Sequence, residues 1–135
     1  MPDSLVDVEG IGSDNANKLG TVGLRTTDDL LKNAGTPSGR KSLAEKTGIN
    51  ETRLLEWVNR ADLMRIKGVG SEYGDLLEAA GVDSVVELGG RTPANLYTRL
   101  TEVNSQKKLV RRVPTQSEVE TWVREAKSLE RMVSH

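Results

Sequence analysis

With 135 residues, the chain has the length of one domain or of two small domains in contact. It contains no Cys, which excludes disulfide bonds and thiolate metal sites, and no apolar run long enough to cross a membrane. Because Met1 is not followed by a basic and apolar leader, we expect a cytoplasmic protein without a membrane partner. The net charge of −1 conceals an alternation, since residues 1–37, 38–67, 68–104 and 105–135 carry net charges of −3, +3, −4 and +3.

The chain begins with a short apolar segment that ends at two glycines, and this pattern returns 58 residues later. The two copies read Val8-Glu9-Gly10-Ile11-Gly12-Ser13 and Ile66-Lys67-Gly68-Val69-Gly70-Ser71. The correspondence continues downstream at Leu19 and Leu77, Gly23 and Gly81, Thr26 and Ser84, and Leu30 and Leu88. An internal repeat of this kind determines the architecture, so the sequence predicts one helical unit written twice.

Break and cap signals divide the first copy into helices. Two glycines around one apolar residue predict a tight hairpin, and Ser13 follows it as an N-cap. Thr26 with Asp29 predicts a capping box, and Thr36-Pro37 predicts a further helix start. A fourth helix buries one face and leads directly into the second hairpin. The predicted helices cover about 13–22, 26–35, 36–46 and 50–64.

The second copy repeats this plan and then diverges. Ser84 with Glu87 predicts the matching capping box, and Thr115 with Glu118 predicts another. Trp122 repeats the apolar stripe of Trp57 at an offset of 65, so about seven residues are added in the basic segment 104–114. The predicted helices cover about 71–80, 84–88, 92–103 and a segment from 115 onward, and no strand-like alternation occurs.

The paired glycine bends, each between short helices, resemble helix-hairpin-helix motifs. The larger unit resembles the small helical domains at the N-terminus of recombinases and at the C-terminus of the bacterial RNA polymerase alpha subunit. Over nearly its full length the chain resembles a bacterial family of unknown function built from two such units. The residues that carry this resemblance are 36–40, 56–63, 66–70 and 109–112.

The sequence thus predicts an all-α fold of two tandem helix-hairpin-helix repeats, SAM-like small helical domains packed into one compact unit. Residues 1–64 form the first predicted repeat and residues 65–135 the second, and they share the helix around 51–64. Each half alone would bury little core, so we expect the halves to pack on each other. The resemblance implies nucleic-acid binding as a class tendency, and fold alone does not determine function.

The hairpins are candidate phosphate sites, because the first amides of a helix are unpaired and its dipole favours an anion. In the second hairpin the candidates are Lys67, Gly68 and Gly70, with Glu72 opposing an anion. In the first hairpin, Gly10 and Gly12 are either structural turns or a weaker phosphate site, because acidic residues flank them on both sides. The resemblance also allows a monovalent cation on hairpin carbonyls; no other cofactor or metal is predicted.

The basic segment of the second copy is a stronger nucleic-acid candidate. Lys107, Lys108, Arg111 and Arg112 bracket two apolar residues and could neutralise several phosphates. The alternative is a solvated loop whose bases offset the acidic residues of the neighbouring hairpin.

Two other features have both a structural and a functional interpretation. Arg40 and Lys41 oppose the helix dipole, which indicates either a partner charge or an intramolecular pair with Glu45. Trp57 and Trp122 could stack on bases, but their place on apolar stripes favours a core role.

An enzyme is not predicted. The one His is His135, at an expected frayed end, and no Cys or His-activated Ser is available as a nucleophile. We therefore expect a non-catalytic binding module that contacts nucleic-acid backbone independently of sequence, and a small-molecule substrate is not expected. The alternative is a protein-interaction adaptor in which the hairpins serve only as scaffold.

Overall fold

The computed structural model describes residues 3–8 and 10–135, and helices account for nearly all of its regular structure. A short 3₁₀ turn at Leu5–Asp7 precedes eight α-helices in these residues. They are α1 Gly12–Thr21, α2 Thr27–Ala34, α3 Pro37–Thr47, α4 Glu51–Leu63, α5 Ser71–Ala79, α6 Val85–Gly89, α7 Pro93–Lys107 and α8 Gln116–Ser128. Within the described part of the chain, β-structure is limited to an antiparallel bridge between Ser4 and Thr26. The all-α prediction is confirmed.

The chain divides into two compact units. The first unit comprises Met1–Asp62 together with Met132–His135, and the second unit comprises Leu63–Arg131. The chain therefore leaves the first unit after α4 and returns to it beyond α8. The return was not predicted, because four residues without a helical pattern give no sequence signal.

The turns that enter the two glycine hairpins have the same hydrogen bonds. Each turn contains two hydrogen bonds in which an amide donates to the carbonyl three residues earlier. The second donor lies three residues after the first. The bonds are Val8 to Leu5 and Ile11 to Val8 in the first unit, and Ile66 to Leu63 and Val69 to Ile66 in the second, at 3.0–3.2 Å. Each bond thus has a counterpart at the offset of 58 that the sequence repeat gives.

The helix after each hairpin also ends in the same way. In each case the amide of the residue after a glycine donates to the carbonyl of a leucine five residues earlier. This is the Schellman arrangement of a helix C-terminus. The bonds are Leu24 to Leu19 at 3.0 Å and Val82 to Leu77 at 2.9 Å. The intervening Gly23 and Gly81 have φ of 88° and 94°, a left-handed conformation that an L-residue rarely adopts.

The hairpins differ at their second glycine. Gly12 has φ of 72° and begins α1, with Ile11 as the N-cap residue, so the predicted cap at Ser13 is wrong. Gly70 has φ of −94° and is itself the N-cap of α5. The two copies therefore share a sequence pattern here but not a backbone conformation.

Two of the three predicted capping boxes are complete. Thr26 with Asp29 and Thr115 with Glu118 form both reciprocal hydrogen bonds. At α6 the Ser84 hydroxyl accepts from the Glu87 amide, but the Glu87 carboxylate instead accepts from Arg91 at 3.0 Å. The box predicted there is half formed because a guanidinium one turn on competes for the carboxylate.

Helix α7 is longer than predicted, and it includes Lys107 instead of ending at Val103. Lys108 then adopts a left-handed conformation, with φ of 51°, and its amide donates to Asn104 at 2.8 Å. The Asn104 side chain bonds both the amide and the carbonyl of Val110 at 3.0 Å. Asn104 therefore lies inside the helix, and its side chain holds the segment that follows.

The cores are aliphatic around one tryptophan each. Trp57 and Trp122 are 3% exposed, so the core role that their periodicity favours is confirmed. In the second unit, Trp122 lies in a cluster that includes Leu77, Leu88 and Leu100. Truncating a buried Trp to Ala typically costs about 3–5 kcal/mol, so each indole is central to its unit.

The difference between Gly12 and Gly70 gives a paired test. We expect Gly12→Ser to lower the free energy of unfolding by about 1–2 kcal/mol, because an L-residue is strained at positive φ. Gly70→Ser should leave it unchanged or raise it, because Gly70 is an N-cap in extended conformation, where Ser is preferred. A Cβ at either position would meet no atom within 4 Å, so packing does not confuse the comparison. Urea unfolding measures both; equal losses would contradict the conformational difference.

Candidate nucleic-acid interface

The second hairpin presents its backbone at the surface and lies against the buried Trp122. Lys67, Gly68 and Gly70 are exposed. A Cβ on Gly68, whose φ is 90°, would lie 3.4 Å from the Trp122 Nε1 atom. The close approach and the positive φ both favour glycine here, so Gly68 has a structural role whether or not it meets a ligand.

Tyr73, in the first turn of α5, connects this hairpin to the basic segment. Its hydroxyl donates to the Arg112 carbonyl at 3.0 Å, and its ring centroid lies 5.3 Å from that of Trp122 at an interplanar angle of 54°. The geometry is a tilted aromatic contact of the kind that stabilises cores. The structure therefore fastens the end of the basic segment beside the N-terminal turn of α5. The sequence does not indicate this contact, because Tyr73 and Arg112 are 39 positions apart.

The basic segment is an ordered connection, not a free loop. Lys107 ends α7 and Lys108 is its C-cap, while Val110 is buried and held by Asn104. Within the described residues, the exposed side chains of Lys107, Lys108 and Arg111 have no ion pair. These three cations are therefore available to an anionic partner.

Arg112, by contrast, is neutralised by Glu118. Its guanidinium donates to both carboxylate oxygens, at 2.8 and 3.1 Å. This hydrogen bond, together with the Thr115 amide, lowers the pKa of Glu118 from 4.5 to about 2, and it raises the pKa of Arg112. Arg112 is a predicted site residue, but a phosphate would have to compete with this bidentate pair.

A carboxylate also lies at the second hairpin. The Lys67 amide donates to Glu125 of α8 at 3.1 Å. A backbone donor at the predicted phosphate site is therefore already used by an anion from the same chain. The Lys67 side chain is exposed, whereas Glu72 adds a negative charge in the first turn of α5.

The first hairpin also packs against a buried tryptophan. A Cβ on Gly10 would lie 3.8 Å from the Trp57 Nε1 atom, and Gly10 and Gly12 are exposed. The Ile11 carbonyl accepts from the Asn15 side chain at 2.9 Å, which uses a hairpin oxygen that a monovalent cation would need. The predicted acidic flank at Glu9 lies outside the described residues, and Asp14 is in the first turn of α1.

Arg40 is buried, and its guanidinium bonds carbonyls. The two predicted explanations, a charged partner and a pair with Glu45, are therefore both wrong. Arg40 is 4% exposed, and its guanidinium donates to the carbonyls of Ala34, Gly35 and Ser134. Burial lowers its pKa, and Glu51 opposes that shift. Arg40 therefore satisfies carbonyls at the C-terminal end of α2, where a cation is favourable, instead of pairing with Glu45.

Two searches of the described residues gave negative results. No group of three or more His, Asp or Glu side chains with metal-binding geometry occurs in them. None of their helices combines the length and apolar character needed to cross a bilayer.

Residues 9–129 match the family model described as DUF4332, a domain of unknown function. The chain belongs to this family. No curated protein and no solved structure matches it. The membership agrees with the predicted resemblance to a family of unknown function, and it assigns no ligand.

The Arg112–Glu118 pair gives a pH prediction. Because the folded pKa of Glu118 lies below its ordinary value, its contribution to stability is present above about pH 4.5 and is lost as the pH falls to about 2. We expect the difference in unfolding free energy between the wild type and Glu118→Gln to shrink over this interval. Chemical denaturation at a series of pH values measures it. Glu120→Gln, an exposed change on the same helix, is the control; a difference that stays constant with pH would contradict the pairing.

Proposed function

We propose that the chain is a non-catalytic binding module of two tandem helix-hairpin-helix repeats. The support is the set of backbone hydrogen bonds that recurs at one offset, on entry to each hairpin and at the end of the helix that follows. Each hairpin also lies on a buried tryptophan. These shared features are those expected of two copies of one module, since backbone geometry is retained while side chains diverge.

The ligand of this module is nucleic-acid backbone, contacted by the second unit without reading the bases. The observation that carries this proposal is the bond from Tyr73 to the Arg112 carbonyl. It holds the basic segment beside the N-terminal turn of α5, where Gly70 offers no capping side chain to the first amides. A helix N-terminus next to several cations is a favourable place for phosphate.

The balance of charges around the second hairpin determines the expected affinity for nucleic acid. Lys67, Lys107, Lys108 and Arg111 are exposed cations, whereas Glu125 and Glu118 each occupy a donor that a phosphate would use. With few phosphates neutralised, affinity should be weak and should fall steeply with salt, in the range of about 10⁻⁴–10⁻⁶ M that is typical of non-specific binding. Contacts of this kind position a protein on the backbone and carry no sequence information.

The alternative function is a protein-interaction adaptor, and the contact between Glu125 and the Lys67 amide favours it. In this case the hairpin, whose backbone donor is already bonded, serves only as scaffold. The acidic segments 1–37 and 68–104 are then the surfaces on which a protein partner docks. Isolation of one stoichiometric protein partner whose capture survives nuclease treatment would support the adaptor.

Removal of the three unpaired cations tests nucleic-acid binding. We expect the variant Lys107→Ala, Lys108→Ala, Arg111→Ala to bind a labelled DNA duplex at least about tenfold more weakly at low salt. The slope of log affinity against log salt should fall by roughly 2 to 3, because about 0.9 counterions are released per phosphate neutralised. Fluorescence anisotropy across a salt series measures both quantities.

The matched control removes the same charge from the first unit, through Lys18→Ala, Lys32→Ala and Lys46→Ala at exposed positions. It should keep the wild-type affinity and slope. Arg112→Ala should have a smaller effect than loss of Arg111, because Glu118 already neutralises Arg112. Undetectable DNA binding by the wild type at low salt would refute the proposal, and equal losses in both triple variants would refute the site.

A further inference from the structure

Residues 132–135 belong to the first compact unit and dock on it. They have no helical or turn structure of their own. Val133 is buried, at 3% exposure, and the Ser134 amide donates to the Gly35 carbonyl at 2.8 Å. The His135 Nε2 atom lies 3.2 Å from the Asn59 Oδ1 atom, within hydrogen-bond distance. The end that the sequence predicted to be frayed is therefore held at three successive residues.

Arg40 provides the buried hydrogen-bond donors of this docking site. Its guanidinium bonds the Ala34 and Gly35 carbonyls at 3.1 Å each, which fixes its orientation. Both of these bonds come from Nη1, and the other terminal nitrogen, Nη2, donates to the Ser134 carbonyl at 2.7 Å. A buried guanidinium oriented by carbonyls of one segment thus presents an N–H group to the main chain of another.

Gly35 lets the docked segment come close. A Cβ added there would overlap the Met132 carbonyl oxygen and would also meet the Leu31 carbonyl oxygen. Its φ of −66° is ordinary, so the requirement for glycine comes from the approach of main chain and not from backbone strain.

From these contacts we propose that Gly35, Arg40 and Asn59 form a peptide-binding cleft, which residues 132–135 of the same chain fill. Its ligand class is an extended peptide with one buried aliphatic side chain. The Ser134 amide and carbonyl are both bonded, so main-chain atoms provide affinity, and the pocket for Val133 provides selectivity. This inference is independent of nucleic-acid binding, because no residue of the candidate interface takes part.

The docked segment is suited to reversible binding. It is four residues long and has no regular structure, and segments with few contacts open locally at low cost. A tethered segment has an effective concentration in the millimolar range, so it occupies the cleft even when its intrinsic affinity is modest. A free peptide of the same sequence should therefore bind more tightly once the tethered copy is removed.

The main experiment supplies the segment in trans. A variant lacking residues 132–135 is titrated against a fluorescent peptide with the sequence of residues 129–135, and anisotropy is recorded. We expect saturable binding, and binding to the full chain at least about tenfold weaker because the tethered segment competes. The same peptide carrying Val133→Asp should not bind. Failure of the peptide to bind the folded deletion variant, or equal binding to both proteins, would overturn the proposal.

A second measurement on the full chain decides the matter if the deletion variant does not fold. Hydrogen exchange of the Ser134 amide is compared in the wild type, in Arg40→Lys and in Arg124→Lys, an exposed change on α8. We expect protection of at least about tenfold in the wild type, because this amide is bonded to Gly35. Protection should be lost in Arg40→Lys, since one ammonium cannot replace the guanidinium fork, and retained in Arg124→Lys. Exchange at the unprotected rate in the wild type would overturn the proposal.

Discussion

Each unit is built around one close contact, in which a glycine at positive φ lies against the indole nitrogen of a buried tryptophan. Gly10 has φ of 89° and faces Trp57, and Gly68 has φ of 90° and faces Trp122. The tryptophan lies on the long helix that ends the repeat, so the contact joins the first and last parts of each copy. An L-residue at either glycine would be strained at positive φ, and at Gly68 its Cβ would also lie 3.4 Å from the indole nitrogen. The backbone requirement explains why these two glycines recur while many surrounding side chains differ.

The repeat could be predicted because its signals are local. Glycine at a helix end, Thr or Ser at an N-cap and an apolar stripe each act within a few residues, and they place α2, α4 and α6 close to where they occur. The errors lie where a distant group decides the outcome. Asn104 lies inside α7 and bonds Val110 beyond the helix, and the box at Ser84 is half formed because Arg91 takes the Glu87 carboxylate. Propensity alone does not encode such competition.

The candidate interface was only partly predictable for the same reason. The sequence identified the cations at 107, 108, 111 and 112 but could not distinguish the paired Arg112 from the unpaired Arg111. It also missed Tyr73, whose partner is 39 residues away. Between the repeats, the positions of Lys67 and Glu125 correspond in sequence to Glu9 and Arg60, which have the opposite charges. A reversal of this kind changes the local potential of a hairpin while leaving its backbone pattern intact.

The return of residues 132–135 to the first unit also bears on synthesis by the ribosome. The bond from Arg40 to Ser134 spans 94 positions, so the unit whose helices emerge first cannot complete its contacts until translation has passed the entire second unit. Until then, the Arg40 guanidinium lacks one of its three carbonyl acceptors, and the pocket for Val133 is open to water. Nascent chains that stop early keep this defect. The contacts of the earliest-made unit are thus completed only after the later unit has been made.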